Sequence, residues 1–188
     1  KNKAVPEDAG EHFDKPDSTV VAYPNGDIYR AGKFKRFWFG NNYREEWVTP
    51  IEIPLFDFRN ENGKMKIIKQ GGNFQTTTLR LEDEAGKEWV LRSVDKNASD
   101  RIPENIRTGM AEDIVQDQMS ASNPYGALAI PGIADAAGIY HTNPRLVYLD
   151  RKNLPDGFSE KWEGIYLFEE RPDGNREDIA SFGYSEKI

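Results

Sequence analysis

The chain has 188 residues and a formal net charge of −7, from 32 Asp and Glu against 25 Lys and Arg. That length fits one domain with a short arm, and that charge argues against broad electrostatic capture of nucleic acid, which needs clustered cations. Cysteine is absent, which excludes disulfides, thiolate zinc sites and cysteine nucleophiles. With only His12 and His141, little is left for a histidine-based metal centre. No apolar run approaches the ~20 residues needed to span a bilayer. Lys1 to Gly10 is polar and lacks the apolar stretch of a signal peptide. A first residue other than Met leaves room for a processed leader upstream.

Lys1 to Ser18 is charged, and its large apolar side chains are Val5 and Phe13, so it reads as a poorly ordered arm. Thr19 to Tyr23 reads as a short strand, turned by Pro24, Asn25 and Gly26. Ala31 to Trp47 is dense in aromatics: Phe34, Phe37, Trp38, Phe39, Tyr43 and Trp47. Phe34, Phe37 and Trp38 stand at i, i+3 and i+4 and share one helical face. Gly40, Asn41 and Asn42 break that helix, and Tyr43 to Trp47 form a further turn. Exposed aromatics at this density are a liability, so most are expected to pack on the main sheet; an interaction surface is the alternative. Val48 to Phe58 alternates in parts but carries Pro50 and Pro54. Proline removes a ladder donor, which suggests an edge strand or an extended covering segment.

Asn60 to Gly63 turns the chain, and Met65 to Lys69 leads into GGNFQTTTLRLEDEAGKEWVLRSVDK, residues 71–96, the most informative stretch. Thr76 to Glu82 is β-branched and alternates Leu79 and Leu81 with polar neighbours, as a half-buried strand should. Asp83, Glu84, Ala85 and Gly86 supply a tight turn, and Glu88 to Val94 returns with Trp89, Val90, Leu91 and Val94, carrying Arg92. A glycine-rich entry at Gly71 and Gly72, with Thr76 following, lets backbone N–H groups approach an anion, and a strand-borne cation such as Arg92 can reach the same anion. The plainer reading is an ordinary hairpin whose Arg92 faces water.

Asn97 to Gly109 reads as a polar loop. Met110 to Ala121 is the best helix, with Met110, Ile114 and Gln118 at i, i+4 spacing and Val115 and Met119 widening the stripe. Glu112 and Asp113 sit in its first turn, where carboxylates suit the helix dipole, and Asn123-Pro124 ends it. Ala127 to Gly138 reads as a small apolar helix or buried turn interrupted by Pro131. Pro144 to Leu149 and Gly164 to Phe168 read as two strands. The resulting organisation is an arm over residues 1–18, a single domain over 19–172, and a polar tail over 173–188. The fold class expected is α+β: a twisted antiparallel sheet with one main helix packed on it.

This order of elements is that of a kinase N-terminal lobe: glycine-rich hairpin, cationic third strand, helix with an acidic partner, then two strands leading to a hinge. RSVDK, DIVQDQ and LFEERP are the most specific pieces of text. With them, the stretch from Val20 to Pro172 resembles a family of bacterial envelope proteins in which a kinase-like module sits within larger chains. Some of those chains carry a metallophosphoesterase domain and an outer-membrane surface-antigen β-barrel. CotH-like spore-coat kinases and phosphatidylinositol kinases are more distantly similar.

By position, the resemblance puts Arg92 where the strand lysine of those kinases meets nucleotide phosphates, a departure because a guanidinium does not replace an ammonium neutrally. Lys96 could substitute only if the chain bends back. Asp113, Gln116 and Asp117 share a helix face, so Asp113 or Asp117 could hold the cation, or they simply solvate that face. Glu169 and Glu170 fall at the hinge-like position. Phosphoryl transfer also needs metal-binding carboxylates and a positioned base, which the resemblance places on a C-terminal lobe, and nothing of that kind follows Pro172. No catalytic or metal residue is assigned, and no turnover is expected from this polypeptide alone.

Three functional readings follow. The first is a noncatalytic or incomplete kinase-like module of the cell envelope, periplasmic or outer-membrane-associated, whose partner is the rest of a parent chain. The second is a nucleotide- or phosphate-binding half that needs its missing lobe, with ATP and Mg²⁺ implied for the complete protein. The third is a carbohydrate-binding module built on the aromatics between Phe34 and Trp47, which would have to face solvent.

Overall fold

The computed structural model describes residues 18–25, 28–59, 61, 64–71, 76–96, 102, 105, 108–155, 158, 162–171, 174–176 and 183–185. Residues 1–17 of the arm proposed over 1–18 lie outside them, as does Gly72. Along the chain run β1 (Thr19–Ala22), α1 (Lys33–Phe39), α2 (Arg44–Val48), β2 (Ile51–Pro54), β3 (Lys66–Gly71), β4 (Thr78–Glu82) and β5 (Glu88–Ser93). Then follow α3 (Gly109–Gln118), α4 (Ile130–Ala137), β6 (Arg145–Leu149), β7 (Gly164–Glu170), β8 (Gly174–Arg176) and β9 (Gly183–Ser185). The protein is α+β, as its pattern of elements indicates.

Five strands form one antiparallel sheet in the order β3-β4-β5-β7-β6. The β4–β5 hairpin closes on Asp83: one carboxylate oxygen accepts from the Ala85 and Lys87 amides, both at 2.9 Å, and the other from Trp89 Nε1 at 2.9 Å. Gly86, at φ 81°, supplies the left-handed step that the turn needs. β7 enters between β5 and β6, so the last of these five strands in sequence is interior, one in from the edge. A separate two-stranded ribbon pairs β1 with β2. It is tied to the sheet where the Phe56 amide donates to the Tyr148 carbonyl at 2.8 Å. The tail expected after Pro172 contains a second small ribbon, β8 with β9.

Strand alternation divides the sheet's side chains into two faces. One face carries Leu79, Leu81, Trp89, Leu91, Val147, Leu149, Tyr166 and Phe168, all buried, and is closed by Phe56, Phe58, Met65 and Trp162. The segment after Pro54 is thus the covering element its prolines suggest. The opposite face carries Leu146, Tyr148, Ile165 and Leu167, with Val94 beside them, and is closed by Tyr29, Trp47, Ile53 and Met119. Each such side chain contributes about 1.5–3 kcal/mol when fully buried.

Two packing expectations are corrected. Of the aromatics between residues 31 and 47, Trp47 is fully buried, but Phe34 and Phe37 are each 79% exposed and Trp38 is 66% exposed. The reason is that α1 anchors itself through its cations. Arg36 donates to the Ala31 carbonyl at 2.9 Å, to Asn41 and to Glu45, and Lys35 pairs with Asp117 at 2.7 Å, which turns the rings outward. In α3, the stripe of Met110 and Ile114 is exposed, at 75% and 42%. Asp117 and, just beyond the helix, Ser120 are buried instead, because a buried cation from α2 demands a carboxylate there. Pro131 does not interrupt the second helix. It occupies the first turn of α4, where a missing N–H costs nothing.

Candidate functional site

Beside the second apolar cluster, the sheet face of Arg92 is left open as a groove of ≈ 370 Å³, lined by Thr78, Arg80, Val90, Arg92, Thr142, Glu169, Glu170 and Arg171. The pairings Thr78↔Arg92, Arg80↔Val90 and Val90↔Glu169 set these side chains side by side. Arg92 lies 3.3 Å from Glu169 Oε1, and the Thr142 hydroxyl donates to Glu169 Oε2 at 2.9 Å. Lys87 pairs with Glu170 at 3.1 Å, and Arg171 pairs with Glu88. Of the three arginines that line the groove, Arg92 is thereby answered by a carboxylate of the groove itself, Glu169, and Arg171 by Glu88 outside its lining.

The remaining described sequence candidates are not among the residues that line this groove. Gly71 ends β3 opposite Thr78, and a Cβ built there meets the Thr78 carbonyl at 3.9 Å, an ordinary contact, so sterics do not require glycine. Thr76 is half-buried just before β4. Lys96 contributes its backbone: its carbonyl accepts from Gln116 Nε2 at 2.6 Å, which ties the end of β5 to α3. Asp113 is exposed on α3.

Asp117 belongs to another constellation. Arg44 Nη1 and Nη2 donate to its two carboxylate oxygens at 2.8 and 2.7 Å, a bidentate fork between side chains 1% and 2% exposed. Lys35 adds a second cation. The Arg44 guanidinium also donates to the Gly40 and Tyr29 carbonyls at 3.1 and 3.3 Å. Burial alone would raise the Asp117 carboxyl pKa, but Arg44 and Lys35 more than offset it and hold it below the usual carboxylate range. The same pairing raises the Arg44 pKa.

Sequence reading named Arg92 and Glu169 separately and missed Thr142, Arg80, Lys35 and Arg44. Arg44 stands in a run of aromatics and glutamates that gives no local sign of burial. Thr142 lies in a connection without regular structure. Among the described residues no group of three or more His, Asp and Glu is placed to hold a metal ion. No helix among them is long and apolar enough to cross a membrane. Comparison with protein-family models, with curated proteins and with solved structures returned no match.

Proposed function

We propose that the chain is a noncatalytic, kinase-like front half of an envelope protein, serving assembly or partner contact. The partner is the rest of its parent chain, and the compartment is the periplasm or the outer-membrane surface. The observation that carries this reading is the fate of its two key charges. Arg92 is answered by Glu169 across β5 and β7, while Asp117 is committed to Arg44 and Lys35. A phosphate-binding cation held by a helix carboxylate is the arrangement that nucleotide transfer needs, and these pairings put both groups to other use.

The chain order supports the kinase-like part of the reading: a hairpin, a cation-bearing third strand, the helix α3 followed by the short α4, then two strands of which the last lies beside the third. Support also comes from the side of the sheet on which Arg92 sits, the one closed further along by Met119 at the end of α3. Partner contact is favoured by exposed apolar side chains, including Ile130 and Ile133 on α4, 54% and 64% exposed.

A second reading, a nucleotide- or phosphate-binding half, is favoured by one feature, the three arginines Arg80, Arg92 and Arg171 on one groove. Thermal unfolding of the chain in millimolar ATP and Mg²⁺ separates the scaffold reading from a nucleotide site complete within this chain, and leaves aside one completed by a second lobe. A site filled at a hundred times its Kd adds about 2.7 kcal/mol, or roughly 5–11 °C in Tm for a chain of this size. The scaffold reading predicts a shift below about 1 °C. It also predicts that Arg92→Ala, which removes a half-exposed ion pair, changes stability by no more than about 1 kcal/mol. A rise of several degrees that disappears in Arg92→Ala would overturn it.

A further inference from the structure

We propose that the outward face of α1 is a peripheral docking surface for an anionic lipid bilayer, with Phe34, Phe37 and Trp38 entering the interfacial layer and Lys33 meeting lipid phosphate. This goes beyond the scaffold reading and does not depend on it, because it rests on α1 alone. The three rings form one exposed cluster. Phe34 and Trp38 are 6.4 Å apart between centroids, and Phe37 and Trp38 are 5.5 Å apart at 87°. Three large rings exposed by 79, 79 and 66% on seven helical residues form an apolar tip that water does not favour.

Charge selects the occupant. Residues 30–39, RAGKFKRFWF, hold no acid; Lys35 and Arg36 are paired with Asp117 and Glu45, and exposed Lys33, next to Phe34, is the cation offered to lipid phosphate. Aromatic side chains on one face and cations beside them are the composition of interfacial helices, and basic side chains next to a membrane add electrostatic attraction to anionic lipid. The tip is also stiff. Arg36 fastens the helix to Ala31, Asn41 and Glu45, Lys35 fastens it to Asp117, and Gly40 ends it with its amide on the Arg36 carbonyl. Little ordering cost therefore remains to be met on binding.

Other occupants fit less well. A sugar platform presents ring faces in a common plane with polar groups alongside, whereas Phe37 and Trp38 stand edge to face and two of the three rings have no polar atom. A second copy of the chain would set this basic segment against itself.

The test is co-sedimentation of the full chain with phosphatidylcholine vesicles that contain none or about 30 mol% phosphatidylglycerol, at low and at physiological salt. Trp38 emission is read in parallel. Trp47, Trp89 and Trp162 are buried, so a blue shift on binding reports Trp38. The expected result is binding to anionic vesicles with a blue shift, weakened by salt. Phe34→Ser/Phe37→Ser/Trp38→Ser should bind at least tenfold more weakly, and Lys33→Glu severalfold more weakly, both with wild-type circular dichroism and Tm because these side chains are exposed. Sedimentation of the triple variant equal to wild type, equal binding to uncharged vesicles, or no binding at all would overturn the proposal. So would self-association without lipid, or retention on insoluble glycan, that is abolished by the same triple change.

Discussion

Asp117→Ala will destabilise the folded chain by about 3–5 kcal/mol, the usual cost of removing one partner from a buried ion pair. The cost lies less in the lost attraction than in what remains. Arg44, 1% exposed, would keep its charge with only the Gly40 and Tyr29 carbonyls as partners. At about 2–4 °C per kcal/mol for a chain of this size, Tm should fall by roughly 6–20 °C. A loss below about 1 kcal/mol would mean that Arg44 reaches water when its partner is removed. The control is Arg44→Met with Asp117→Leu, which removes both charges and should recover much of the loss, since apolar replacement of a buried pair is often neutral or better.

Proton linkage adds a signed expectation for the same pair. The Asp117 carboxyl pKa is lowered in the folded protein relative to its ordinary value of about 3.9. Its contribution is therefore complete above the unfolded value and is lost as pH falls through the folded one. Urea midpoints at pH 7 and pH 3 should show the gap between wild type and Asp117→Asn narrowing in acid. A gap that widens below pH 4 would have the wrong sign.

Phe168→Ala is the second large effect, at about 3–5 kcal/mol. Phe168 is 2% exposed, stacks on Trp89 at 5.0 Å and 6°, meets Phe56 at 5.1 Å, and takes the Arg145 guanidinium over its ring at 4.8 Å. One side chain on the interior strand β7 therefore links three strands to the covering segment, and truncation leaves a cavity that rigid neighbours fill poorly. Phe34→Ala, the same chemical change on a ring 79% exposed, should stay within about 0.5 kcal/mol. Denaturant unfolding of both variants provides the comparison, and similar losses would contradict the burial assigned to them.

What the sequence made legible is what local spacing controls. The alternation of Leu79 and Leu81, the Asp83-to-Gly86 turn, the helix break at Gly40 and the proline-marked covering segment are decided within a few residues. The inner side of α3 is not. Periodicity favoured Met110 and Ile114, but Arg44, 73 positions away, determines that Asp117 faces inward. A short window cannot register a demand placed by so distant a charge. The outward turn of Phe34, Phe37 and Trp38 has the same origin, because the cations of α1 find their partners on α2 and α3. At the candidate site, Arg92 was visible as a charged residue on a strand, and Glu169 as one just past the strand expected to end at Phe168, where β7 in fact continues to Glu170. Their meeting was not, because it depends on the register of β5 against β7, across two intervening helices and a strand.

The most direct test of this charge assignment is a pair of double-mutant cycles on Asp117, one with Arg44 and one with Arg92, read by denaturant unfolding. Side chains that share one hydrogen-bonded network couple by about 0.5–3 kcal/mol, and separate ones add within about 0.5. The assignment predicts coupling near the top of that range for Arg44 with Asp117, and additivity for Arg92 with Asp117. Strong coupling between Arg92 and Asp117, with additivity for Arg44, would show a nucleotide-type ion pair in place of the scaffold described above.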